Sequence, residues 1–220
     1  MRKLVAILFI AISISLGANP PANGGYLGKR IIVCVEGSYS PNYAKWQDFL
    51  LSYNLQYGGN VHFITGRYSQ LGLSYNMFSL GAHQKYDTAL SNNGKIRGYQ
   101  VGLTYRKFRQ KLGGLAPIGK FLEFSLNYSS SNYNVQFTTL QTFAPVQIGV
   151  KKVSATVGLG TQEIFWGRLV ANGGIRIGAP ILVLGDESSG DSGGTYRRYM
   201  HYRLLYKDIF SVFFGVGIIL

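Results

Sequence analysis

Five ionisable residues sit where apolar residues would be expected to alternate with small polar ones: Glu36, Arg106, Glu123, Lys152 and Arg176. Glu36 follows Val35, Glu123 lies between Leu122 and Phe124, and Arg176 lies between Ile175 and Ile177. In an extended chain such alternation sends neighbours to opposite faces, so all five share the polar face. Acidic and basic groups gathered on one inner face can do two things. They can line a pore or gate ions, or they can pair and bridge the space shut, because buried charges need partners.

Other residue types suggest other chemistry. His62, His83 and His201 are accompanied by no H-x-x-x-H pair and no second cysteine, so a metal site is not indicated. His201 lies near Asp191 and Ser192, which raises a lipase-like triad acting on lipid A. No G-x-S-x-G elbow accompanies them, and a solvated loop histidine is the better reading. No phosphate-binding glycine loop occurs, so no nucleotide or other cofactor is expected. Arg197, Arg198 and Arg203 form a basic group in the last long link, suited to gripping phosphates of lipopolysaccharide. Arg109 and Lys111, the end of a basic cluster that begins at Arg106, read as snorkelling cations at the inner rim.

The elements that must position these residues are strands. Period-two alternation recurs in eight segments: Lys29 to Gly37, Phe49 to Tyr57, Val61 to Leu80, Lys95 to Arg109, Lys120 to Ser130, Gln147 to Gly160, Ile164 to Gly178, and a last one from about Leu204. The last runs Phe210, Val212, Phe214, Val216, Ile218, Leu220 on one side, with Ser211, Gly215 and Gly217 on the other. It ends with the sequence itself, an arrangement that is safe only if that strand closes against the first. Links at Gly58 to Asn60 and Gly160 to Glu163 are read as short. Those at Ser38 to Asp48, Gly81 to Gly94, Ser131 to Val146 and Ile181 to Arg203 are read as long. Gln110 to Gly119 is intermediate.

Residues 1–18 read as a signal peptide: Arg2 and Lys3, an apolar run from Leu4 to Leu16, then Gly17 and Ala18. That run is shorter than the ~20 residues a spanning helix needs. Loss of the leader takes the formal net charge from +13 to +11. Only 14% of residues are charged, while 16 are Tyr and 29 are Gly. One cysteine, Cys34, excludes an internal disulfide framework.

Alternation alone fits a soluble barrel, apolar inside, as well as a membrane barrel, apolar outside. The side that carries glycine decides. Gly72, Gly102, Gly158, Gly174, Gly215 and Gly217 fall on the polar side. A water-facing surface gains nothing from glycine, whereas a crowded lumen gains room for Arg and Glu. The fold class is therefore all-β: an eight-stranded antiparallel up-and-down transmembrane β-barrel over residues 25–220. Eight strands leave little bore, which favours a plugged lumen over a pore. Arg176 cannot shed its proton. It is expected to pair with Glu36, Glu123 or both, in a network that Arg106 can share.

The eight-strand meander, the alternating links and the end Gly215-Val216-Gly217-Ile218-Ile219-Leu220 resemble the small outer-membrane β-barrels of Gram-negative bacteria, the OmpA-type transmembrane domain and OmpX-like group. The resemblance implies an integral outer-membrane protein, monomeric, reached by export and signal cleavage. It implies lipid partners that include lipopolysaccharide, and barrel-assembly machinery reading the last strand. Nucleic acid is not an expected partner despite the basic balance. A structural or surface-interaction role is expected, with a lipid A-modifying enzyme and a small channel as the alternatives.

Overall fold

A computed structural model describes residues 30–41, 53–66, 68–81, 95–109, 117–135, 146–188, 204–205 and 207–220. The leader, Arg197, Arg198, Arg203, His83, Asp191, Ser192 and His201 lie outside the described residues. The strands are β1 Ile31–Pro41, β2 Tyr53–Gly66, β3 Ser69–Gly81, β4 Lys95–Phe108, β5 Gly119–Val135, β6 Val146–Phe165, β7 Leu169–Ser188 and β8 Phe210–Ile219. Each pairs antiparallel with its sequence neighbours, and β8 pairs with β1 from Ile32↔Ile219 to Tyr39↔Val212. The sheet is a closed barrel with no edge along that seam. Backbone bonds between the chain ends lock the seam, among them Leu220 N to Ile31 O at 2.8 Å.

Two expected links are strand instead. Gly58, Gly59 and Asn60 lie inside β2, paired with Glu36, Val35 and Cys34 of β1. A Cβ at Gly58 would strike the Tyr75 carbonyl and Asn76, so this glycine permits close strand approach and marks no turn. The chain reverses between Gly66 and Ser69, which pair with each other, and this splits the segment read as Val61 to Leu80 between β2 and β3. Gly160 to Glu163 likewise belongs to β6, where a Cβ at Gly160 would meet the Phe121 ring. The actual β6–β7 turn is Trp166–Gly167, at φ 48° and 69°, closed by Arg168 N to Phe165 O at 3.1 Å. Two positive φ values at the centre of the turn Phe165–Arg168 match the twist of the flanking strands.

β8 begins at Phe210 and not at Leu204; residues 204–205 and 207–209 are helical. β6 and β7, 20 residues each, are the longest strands. At ~3.3 Å per residue and a ~40° tilt such a strand rises about 50 Å, roughly twice the ~25 Å apolar band of a membrane barrel. Near the long-loop end β7 bulges twice: Ile181 and Leu184 have no partner in the β6 register. The bulges break the alternation, and Ile181 to Leu184 are all exposed.

Alternation holds elsewhere. Val33, Val35, Leu73, Leu103, Leu126, Val157, Ile177 and Val216 are exposed on the outer surface. Tyr57, Tyr75 and Tyr99 join them toward the long-loop end, with Tyr75 and Tyr99 stacked at 6.2 Å. Trp166, 88% exposed, marks the short-turn end. Inside, that end is stoppered by Ile32, Cys34, Ile164, Val170 and Ile219, with Ile64 and Ile118 against them.

Candidate functional site: a lumen with two charge layers

Above the apolar stopper, four strands deliver the first layer. Arg176 of β7 stands between the carboxylates of Glu36 on β1 and Glu123 on β5. Its Nε donates to Glu123 Oε1 at 2.5 Å and its Nη1 to Glu36 Oε1 at 2.5 Å. Its Nη2 reaches Glu36 Oε2 at 3.1 Å and Glu123 Oε2 at 3.3 Å. Arg106 of β4 donates Nε to Glu123 Oε2 at 2.8 Å, and its Nη2 lies 3.6 Å from Glu36 Oε2. The planar guanidinium fork suits such shared bidentate pairing.

The layer is held from outside itself. Asn60 Nδ2 donates to Glu36 Oε2 at 2.8 Å, and Arg106 Nη1 to Gln162 Oε1 at 3.4 Å. Gln162 is fixed in turn by the Pro117 carbonyl at 2.9 Å. The Phe213 ring lies 3.8 Å from the Arg176 guanidinium carbon, and Phe121 lies 4.6 Å from that of Arg106. Arg106 and Glu123 are fully buried.

Lys152 does not join this layer. It sits nearer the long-loop end and meets Asp208 Oδ2 at 2.6 Å and the Leu204 carbonyl at 2.5 Å. Lys207 donates to Gln100 Oε1 at 2.5 Å and lies 3.0 Å from Asp208 Oδ1. The helical segment before β8 is thus folded into the barrel mouth, with Leu204, Lys207 and Asp208 buried. Between the layers lies a narrow chamber lined by serine, threonine, asparagine and glutamine side chains.

A closed barrel whose outside is apolar and whose inside is charged reverses the polarity of a soluble barrel. This chain has the fold of the small outer-membrane barrels. No protein-family model matches it, and no curated protein does. Among solved structures it is similar to the N-terminal β-barrel domain of Pseudomonas aeruginosa OprF, at 16% identity and TM-score 0.44, over 88% of this chain and 100% of that one. It is also similar to a major outer membrane protein from Thermus thermophilus, at 12% identity and TM-score 0.48, over 86% of this chain and 99% of that one.

In this barrel, sequence reasoning missed Lys207 and Asp208 as lumen groups. The available signal was a charged pair directly before the alternation of β8, where a membrane-facing strand has no use for one. Burial raises the Asp208 carboxyl, but Lys207 and Lys152 outweigh burial and hold it below its ordinary value. His62 is buried on the lumen side, and neither ring nitrogen has a hydrogen-bond partner among the described residues. Among the described residues no three His, Cys, Asp or Glu side chains are placed to hold a metal. Lys107, Arg109 and Lys151 are exposed, in contrast to Arg106 and Lys152 beside them.

Proposed function

We propose that this chain is an integral protein of a Gram-negative outer membrane, with a structural or surface-interaction role and a lumen shut to ion flow. The observation that carries this is the Glu36–Arg176–Glu123 bridge, which joins β1, β7 and β5 through the middle of the barrel. A bridge of fully engaged charges leaves neither a free carboxylate to select cations nor a free guanidinium to select anions. The apolar outer surface supports lipid as the surrounding medium, since only a closed barrel or a helix satisfies its backbone there.

The same reading assigns the partners. Outer-membrane lipid surrounds the barrel, with lipopolysaccharide phosphates held by Arg197, Arg198 and Arg203. Barrel-assembly machinery takes up the chain through β8, the leader over residues 1–18 is removed on export, and the barrel works as a monomer without nucleic acid.

Three measurements test this. Unheated protein should migrate faster than boiled protein on a gel and fractionate with outer membrane; recovery from the soluble periplasm ends the reading. In a planar bilayer the wild type should show no discrete conductance, and steady channel steps would make it a channel. Mass spectrometry of lipid A with and without expression should give identical acylation, and a lost or gained acyl chain would make it an enzyme.

A further inference from the structure

The two ends of the barrel differ in charge. The chain has nine acidic residues. Glu36 and Glu123 are bridged in the lumen, and Asp208 sits in the mouth. Asp48, Asp87 and Asp191 fall in the links at the long-loop end, and Asp186 and Glu187 among the last residues of β7. That leaves Glu163 of β6 for the short-turn end. The same end carries Arg30, Lys107, Arg109, Lys120 and Arg168, all exposed. The residues on that side outside the described ones, 1–29, 67 and 110–116, contain no Asp or Glu, so they bring no further carboxylate to balance these cations.

Three of the cations share one patch of the outer wall. Lys107 of β4 registers with Ser69 of β3 and Leu122 of β5. Arg109, one residue past β4, stands opposite Lys120 of β5 and is joined to it by Arg109 N to Lys120 O at 2.8 Å. Like charges directly opposite on neighbouring strands are destabilising. Lys107 and Arg109, two residues apart on one face, are separated by about 7 Å. Among the described residues none of the three has an ion-pair partner. Hydroxyl residues flank the patch, with Ser69 beside Lys107 and Thr161 of β6 beside Lys120. Ser69 Oγ accepts from Thr65 Oγ1 at 3.0 Å, which leaves its own proton free to donate. Toward the middle of the barrel the same face turns apolar, with Leu71, Tyr105, Leu122 and Phe124 exposed.

We propose that Lys107, Arg109 and Lys120 form a headgroup site for one anionic phospholipid, whose phosphate relieves the opposed cations and whose acyl chains lie along Leu71, Tyr105, Leu122 and Phe124. A guanidinium grips phosphate bidentately and an ammonium holds it as a point charge. Cations beneath an apolar wall match an amphiphile, whereas a soluble polyanion would match the cations alone. The site rests on the reading that lipid surrounds the barrel.

The test refolds the barrel into vesicles of phosphatidylcholine, alone or in equal mixture with phosphatidylglycerol, and counts the lipids retained in detergent by native mass spectrometry. Wild type should retain phosphatidylglycerol in preference. Lys107→Gln, Arg109→Gln and Lys120→Gln should each cut that preference about fivefold. Arg168→Gln, on the β6–β7 turn, should leave it unchanged, and inorganic phosphate at constant ionic strength should not displace the lipid. Faster migration of unheated than of boiled protein, read in phosphatidylcholine, shows that each variant has folded and inserted. The three single variants are independent, so one that fails this check does not end the experiment. Insertion without preference for phosphatidylglycerol overturns the site and leaves the membrane reading standing, whereas a barrel that enters neither vesicle ends both. Equal loss in Arg168→Gln overturns the site, since the charge then acts diffusely. Displacement by inorganic phosphate also overturns it, because the patch would then take a free anion.

Discussion

Arg176 and Glu36 bond at 2.5 Å although β8 lies between their strands. Arg176 registers with Ser211 of β8, and Glu36 registers with Gly215 of the same strand. With hydrogen at position 215 and a short hydroxymethyl at 211, β8 leaves room for the bond, and Phe213 between them stacks on the Arg176 guanidinium at 3.8 Å. Gly158 serves the same purpose beside Arg176, where an added Cβ would lie 3.1 Å from Arg176 Cγ. Small residues on the lumen face are thus the space in which the long ones meet.

Removing Arg176 should expose how much of the fold hangs on that bridge. Arg176→Ala leaves Glu36 and Glu123 buried, with Arg106 as the remaining cation of their layer. The expected loss is about 3–5 kcal/mol, read as a lower urea midpoint in lipid vesicles. Arg176→Met combined with Glu36→Gln should be milder. Midpoints unchanged from wild type in both would show that the bridge is not structural.

Gly72 and His62 form a space-sharing pair. A Cβ at Gly72 would fall on the His62 ring. Gly72→Val should therefore impair folding, and adding His62→Ala should recover most of the loss. A Gly72→Val barrel as stable as wild type, judged by gel mobility against temperature, would refute the clash.

Asp208 gives a pH dependence with a definite sign. Its folded carboxyl titrates below its ordinary value. A depressed carboxylate stabilises in full above its unfolded value, about 4, and the contribution is lost as pH falls through the folded value. Asp208→Asn should thus unfold at less urea than wild type at pH 7, with the gap narrowing toward pH 3. A gap of constant size across that range would assign the effect to packing.

Cys34 reports on the stopper. It is 1% exposed, packed with Ile32, Val170 and Ile219, and Asn172 Nδ2 lies 3.7 Å from its sulfur. A maleimide should fail to label it in the folded barrel and should label it fully in urea. Rapid labelling of folded protein would mean that the short-turn end is open.

What the sequence alone determined is the direction of each side chain. Alternation is a local property of extended backbone, so Glu36, Arg106, Glu123, Lys152 and Arg176 could be placed on the lumen face before any strand was paired. Strand ends were not legible, because glycine carries two meanings. Gly58 and Gly160 look like turns in one dimension and prove to be close-approach positions once Asn76 and Phe121 are beside them. Nor was the split of the charges into two layers legible. Lys152 shares the parity of Arg176, but the stagger of the closed sheet lifts it toward the mouth, where Lys207 and Asp208 come in on a short helical segment. Parity belongs to a residue and its neighbours, whereas height along the barrel belongs to the register of all eight strands, and only the closed tertiary structure fixes that.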